Sequence, residues 1–296
     1  MRDAPAQIGE YDMEIAKLWK QAVARCARGV RSGMLGLLVI AGGMHTAPAM
    51  ADGFWKEVQN RGALRCAAAI SPPYVMKDLK TGEYGGAYLD LCKEFADVLK
   101  VKVEFVDTTW DNIVAGLLAG KWDMSPALNR TPARALVINY STVAGYDEMN
   151  FAYMLANDKV KNPAADLSTF DKPGIRVGVM SGSAQDHKVT ERFKQAEIVR
   201  LPDANGLNLA LLSGRVDVAG ADSTTNLLLK TANAEKVGLL EAVPALMKQG
   251  ISFGLPPTIS QRDLDVLNIF LEEKVALGEI DRDLKHWSEV YLAGAK

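Results

Sequence analysis

"LLAGKWDMSPA", Leu117–Ala127, and "LLSGRVDVAGA", Leu211–Ala221, follow one plan. Each reads as a helix end, a glycine, a basic residue, a hydrophobe, an aspartate and then a strand. A glycine just past the last apolar helix position suits a left-handed C-cap. The short apolar run after the aspartate suits a buried strand. The two copies are too far apart for a short-period solenoid repeat. Such a pair is what two similar α/β lobes leave in a sequence.

The flanking chain carries the same alternation. "GALRCAAAI" and "VKVEFVD" predict strands on either side of the helix "LDLCKEFADVLK", whose Leu89, Cys92, Phe95, Ala96 and Leu99 fall at helical spacing. "WDNIVAGLLAG" predicts a helix with Ile113, Val114, Leu117 and Leu118 on its apolar face, and "DMSPAL" a strand after it. The order restarts with "GIRVGVM", "SGSAQDHKVTERFKQ", "AEIVRLP", "ANGLNLALLSGRVD" and "VAGAD". One strand and two helices close the chain, with Leu264, Leu267, Phe270 and Leu271 on one face and Leu284, Trp287 and Val290 on another. Strand–helix alternation predicts an α/β fold with central parallel sheets covered by helices. Ligands of such sheets sit beyond the carboxyl ends of the strands, where "SPAL" and "AGAD" end.

The 296 residues are 48% hydrophobic and 24% charged, a globular composition, and the net charge of −2 offers no field for nucleic acid. Arg25, Arg28 and Arg31 precede the apolar run "MLGLLVIAGGM", and Ala47, Ala49 and Ala51 follow it. That order predicts a secretory signal peptide over 1–51 and export to the periplasm. The apolar run is shorter than the roughly 20 residues a membrane span needs. Cys66 and Cys92 remain in the mature part; export permits a disulfide, and two small buried thiols are the alternative. No metal-ligand or cofactor motif is present, and none is expected.

"NRTPARALVINYS", Asn129–Ser141, holds an oddity. Thr131 followed by Pro132 is a good helix start, yet the position that favours Glu or Gln in a capping box holds Arg134. A guanidinium there matches a carboxylate with a planar donor fork, or pairs with a surface acid. Asp222 ends a strand where it can cap the next helix "STTNLLLK". Ser181, Gly182 and Ser183 open another helix, an anion site by its free N–H groups or an ordinary cap.

In order, "RGALR…PPY…GEYGGAYLDLCKEFADVL…VEFVDTTWDNIVAGLLAGKWDM…TPARALVINYS…GVMSGS…LLSGRVDVAGAD" resembles the extracellular solute-binding proteins of polar amino-acid ABC transporters, family 3, with the type II periplasmic-binding fold. The resemblance implies two hinge crossovers with a ligand cleft between the lobes. It puts lobe 1 at 53–146 plus 250–296 and lobe 2 at 147–249. It implies a monomer that closes on an amino acid or related small carboxylate and delivers it to a membrane permease. Arg134 after Thr131 would grip the α-carboxylate, with Ala127 and Asn129 beside it and Ser181, Gly182 and Ser183 closing from the other lobe. Asp222 would pair the α-ammonium, Trp110 would stack on the side chain, and Tyr74 is a further candidate for that wall.

The departures concern the side chain of the ligand. Where many members end the first strand near an acid, this chain has Ala67, Ala68 and Ala69. The expectation is a less charged or more apolar ligand. A periplasmic enzyme on the same fold, similar to cyclohexadienyl dehydratase, is the alternative, with Asp222, His187 or Glu148 as acid or base. A fused sensor domain would continue into a membrane helix, which the ending "VYLAGAK" does not suggest.

Overall fold

The computed structural model describes residues 53–161 and 163–294, so the expected signal peptide lies outside the described residues. Helix α1 (Phe54–Arg61) precedes β1 (Ala63–Ala69), β2 (Met76–Lys77) and β3 (Tyr84–Gly85). Then come α2 (Ala87–Leu99), β4 (Lys102–Thr108), α3 (Ile113–Leu118), β5 (Ser125–Asn129), α4 (Pro132–Ala135) and β6 (Asn139–Tyr140). The long strand β7 (Gly145–Met154) leads to β8 (Arg176–Met180), α5 (Ala184–Arg192), β9 (Glu197–Leu201) and α6 (Ala204–Leu212). Strand β10 (Val218–Asp222), α7 (Ser223–Ala232), β11 (Val237–Leu240), β12 (Lys248–Leu255), α8 (Gln261–Ala276) and α9 (Glu279–Gly294) complete the chain.

The repeated stretch is built the same way twice. At the end of α3, Gly120 has φ +66 and donates to Leu117 O, while Lys121 N donates to Gly116 O. At the end of α6, Gly214 has φ +71 and donates to Leu211 O, while Arg215 N donates to Ala210 O. Both are Schellman closures, which need a left-handed residue and so favour glycine. The aspartate that follows then ties two strands together. Asp123 accepts the backbone N–H of Arg65 at 2.8 Å and its guanidinium at 2.8 Å. Asp217 accepts the backbone N–H of Arg176 at 2.9 Å and its guanidinium at 3.0 Å. In return the backbone N–H of Asp123 donates to Arg65 O, and that of Asp217 to Arg176 O.

The result is two matching strand sets, β4-β1-β5 and β9-β8-β10. Strands β1 and β4 pair in parallel, β5 joins β1 through the parallel Cys66–Met124 bridge, and β8 pairs in parallel with both β9 and β10. The expectation of parallel sheets holds only for these. Strands β7 and β12 run antiparallel to their neighbours and connect the sets. Strand β7 pairs with β12 through Glu148 and with β10 from Met149 onward. It lies in the stretch 139–157, which carries no clear alternation. Helix α1 and strands β2, β3, β6 and β11 are likewise additions to the sequence reading.

Helix α2 buries all five residues expected at its inner face, Leu89, Cys92, Phe95, Ala96 and Leu99. Leu118 and Val290, expected on buried faces, are 49% and 39% exposed. Helix α3 ends at Leu118, so that residue lies at the turn into the cap rather than over the sheet. Cys66 and Cys92 are free, buried thiols, and burial with Cys92 alongside pushes the Cys66 thiol well above its ordinary range.

Asp217 is the clearest point at which to test the strand-tying device. Burial pushes its carboxyl up, but the Arg176 guanidinium and backbone N–H, with Asn157, outweigh this and hold it at about 2. A depressed carboxyl contributes stability that is present above its unfolded value near 4 and lost as pH falls toward 2. Asp217→Asn should therefore cost roughly 3 kcal/mol at pH 7 and flatten the acid limb of stability against pH. Urea unfolding across pH 2–7 measures both.

Candidate ligand cleft

Sheet register brings the site together. Asp222 lies opposite Met149 in the β10–β7 ladder, and Asp147 is two residues before Met149 on the same face. Gln249 lies opposite Asp147, and Asn129 opposite Ile251, in the ladders of β12 with β7 and β5. Asp222, Asp147, Gln249, Ile251 and Asn129 thus share one face at the junction of the two strand sets. Loop residues Ser71, Tyr74 and Trp110 and the α5 residues Ser183 and Gln185 cover that face and line the cleft with Ala127 and Met180. The space left is about 20 Å³ for the centre of a water-sized sphere. That is room for roughly one water, so the cleft is closed.

Six of the expected residues line the cleft: Tyr74, Trp110, Ala127, Asn129, Ser183 and Asp222. Ala127 holds φ +55, a left-handed backbone rare for a residue with a Cβ. Trp110 is buried and its indole Nε1–H has no partner.

Arg134 is placed differently. Thr131 caps the short helix α4 by accepting the Arg134 N–H at 3.2 Å, as its sequence position predicts. The guanidinium, 8% exposed, donates to Asn129 O at 3.3 Å and to Gly182 O at 3.1 Å. It thereby bridges the β5–α4 turn and the β8–α5 turn. Burial lowers its pKa, with Tyr140 countering, yet a guanidinium stays charged at neutral pH.

The N–H groups of Ser181, Gly182 and Ser183 in the "MSGSA" turn have partners within the protein. Ser183 is the N-cap of α5, accepting from Asp186 N at 3.0 Å, and it lines the cleft. The Gly182 N–H that was expected to meet a ligand carboxylate donates instead to Asp186 at 3.1 Å. Ser181 donates its N–H to Leu201 O and does not line the cleft. An acid in the first turn of the helix thus takes the Gly182 N–H.

Asp222 satisfies both readings of its position. It caps α7 by accepting Thr225 N at 2.7 Å, and it lines the cleft. Burial raises its pKa, and hydrogen bonds from Thr225 and Tyr74 partly offset the rise. His187 is exposed on α5, and Glu148 pairs with Lys248 at 3.1 Å outside the cleft, so neither is positioned for acid–base work there.

The acid that the sequence reading missed is Asp147. It is 4% exposed, accepts Asn129 Nδ2 at 2.8 Å and Gln185 Nε2 at 3.0 Å on Oδ2, and leaves Oδ1 without a partner. Burial and the Asp222 carboxylate push its pKa up to about 8. The expectation of a less charged ligand rested on the alanines at the end of β1. Those alanines are buried, but the cleft has a second acid from β7.

Residues 64–288 match the family model of bacterial extracellular solute-binding proteins, family 3. The octopine-binding periplasmic protein of Rhizobium meliloti is 31% identical over 163 residues, which is 48% of this chain; the chain spans 55% of that relative's length. The crystal structure of an ancestral amino acid-binding protein, a precursor of cyclohexadienyl dehydratase, superposes with a TM-score of 0.70 at 26% identity, covering 79% of this chain and 98% of the other. An amino acid ABC transporter substrate-binding protein of Streptococcus pneumoniae bound to L-arginine shares the fold, with a TM-score of 0.72 at 19% identity over 80% of this chain and 98% of the other. This mixed α/β chain belongs to the bacterial extracellular solute-binding proteins, family 3.

Proposed function

We propose that the chain is a periplasmic binding protein that closes on an amino acid or related carboxylate and presents it to an ABC transporter permease. The observation that carries this is the charge arrangement. A buried carboxylate, Asp222, lines the closed cleft, and a buried guanidinium, Arg134, bonded to the carbonyl of the cleft residue Asn129, stands directly behind it, which supplies the pair of charges a zwitterion needs. The 53–146 plus 250–296 and 147–249 portions act as lobes, with β7 and β12 as the crossovers. The Arg134–Gly182 hydrogen bond and the Thr225 hydroxyl donating to Pro72 O at 2.7 Å hold the portions together. Ligand entry needs them to part, and the ligand carboxylate then takes the guanidinium from Gly182 O. The named relatives, octopine-binding and amino acid-binding, support the class. In this reading the segment 1–51 is a signal peptide and the protein works as a monomer without a cofactor. Among the described residues no helix is long and apolar enough to cross a membrane.

One observation favours an enzyme as the second reading. Asp147 lines the cleft with Oδ1 unpartnered, and burial beside Asp222 raises its pKa, which is the setting a general acid needs. Release of water from a prephenate-like substrate by the purified protein, lost in Asp147→Asn, would establish it.

Thermal unfolding against a panel of L-amino acids and related small carboxylates tests the binding reading. One ligand should stabilise by about 2.7 kcal/mol at a hundredfold excess over its dissociation constant, and Arg134→Ala should abolish the shift. No shift with any amino acid or related small carboxylate would overturn the proposal. Gly182 tests closure separately: φ is +71, and a Cβ there would lie 2.5 Å from Asp111 Oδ1 and 2.7 Å from Asp111 Cα. Gly182→Ala should weaken ligand binding and leave a larger radius of gyration in the presence of ligand, measured by small-angle scattering.

A further inference from the structure

The Asp147 carboxyl is left over once a zwitterion has been accounted for. Arg134 meets an α-carboxylate and Asp222 an α-ammonium, yet a second carboxylate remains in the same cleft. One guanidinium against two carboxylates leaves the site one negative charge in excess when all three are ionised. The position of Asp147 is built, with amide donors from β5 and α5 fixing Oδ2 and nothing meeting Oδ1. Gln249, opposite it in the ladder, also keeps a buried Oε1 without a partner. Once Asp147 is ionised, its unpartnered Oδ1 is an acceptor at the cleft wall that calls for an N–H donor from a ligand. Asp222 stands in a diagonal ladder relation to Asp147, roughly 7–8 Å between Cα atoms, a separation two amino groups of one small molecule can span.

We propose that Asp147 reads a second cationic group, so that the cleft takes an amino acid whose side chain ends in an ammonium or guanidinium. This rests on the amino-acid reading above and names its ligand class. The acid comes from the crossover strand β7, and β1 contributes only alanines at its end.

The other groups around Asp147 set a consequence. Asp222 on β10 and Glu148 on β7 raise its pKa in addition to burial, and Asn129 on β5 lowers it. The hydroxyls of Tyr88 on α2 and Tyr74 in the loop after β1 are themselves raised, in part by the Asp147 charge. None of these is a cation, so the empty cleft keeps a proton on Asp147 up to about pH 8. A bound cation favours the ionised form, and that proton leaves for solvent. Affinity therefore rises with pH up to about 8.

Isothermal titration of the protein with L-arginine and its uncharged isostere L-citrulline tests this, in two buffers of different ionisation enthalpy at pH 7. Arginine should bind at least about thirtyfold more tightly than citrulline, the scale of a buried charge pair losing one partner. Its binding should release close to one proton. Asp147→Asn should bring the two ligands to similar affinity and abolish the proton release. L-lysine against L-norleucine repeats the comparison for an ammonium, and a preference for lysine alone also supports the proposal. If citrulline, norleucine or another neutral amino acid binds as tightly as the cationic pair, without proton release, the inference falls and the amino-acid reading stands. If no amino acid binds, both fall. Should Asp147→Asn fail to fold, the wild-type arginine–citrulline ratio and its proton count decide.

Discussion

Strand β7 changes partners between Glu148 and Met149, and the architecture depends on that change. Before it the strand pairs with β12, and after it with β10. Backbone N–H and C=O groups buried without partners are costly, so a strand passing between two sheets must be paired on both sides of the crossing. The 8-stranded sheet that results joins the two matching strand sets through β12 and β7. It also sets where a side chain can lie between them without belonging to either. Asp147 occupies that place, one residue before Glu148 on the face toward the cleft.

The two aspartates of the repeated stretch and the two of the cleft show opposite uses of one side chain. Asp123 and Asp217 are buried against arginines and backbone N–H groups. Each carboxylate there replaces water with several donors, which is the condition for burying charge without a large penalty. Asp147 and Asp222 are buried facing one cleft with no guanidinium between them. Two carboxylates so placed cannot both ionise cheaply, and one retains a proton. The first pair serves the fold, and the second stores an electrostatic conflict.

How much of this could be read in advance follows from where each signal lives. The repeat Leu117–Ala127 and Leu211–Ala221 gave the two halves, because a Schellman closure needs a glycine and a strand-tying acid needs a fixed offset from it. The cap at Thr131, the cap at Asp222 and the cleft positions of Ala127, Asn129, Trp110 and Tyr74 were legible for similar local reasons. The partner of the Gly182 N–H was not, because Asp186 in the next turn takes it, and that competition is decided by helix geometry. Asp147 was missed because its importance comes from pairing. In "AGYDEMNF" it is one acid among two, and only the ladder with β12 and β10 distinguishes it from Glu148, whose side chain faces Lys248.

The stored conflict bears on how such a cleft switches. Closing an empty cleft removes water from Asp147 and Asp222 together, so closure without a ligand carries the cost of holding a proton on one of them. A ligand bearing positive charge removes that cost in the closed form and changes little in an open, solvated one. That difference between the two forms is what shifts a population toward closure, since equal affinity for both shifts nothing. In the proposed binding the Arg134–Gly182 hydrogen bond works in the other sense, because it satisfies the guanidinium in the empty closed cleft and would be exchanged for a ligand carboxylate. Carboxylate recognition of the proposed kind would then be close to an exchange of one acceptor for another, and the larger free-energy difference between empty and filled closure would lie at the two acids.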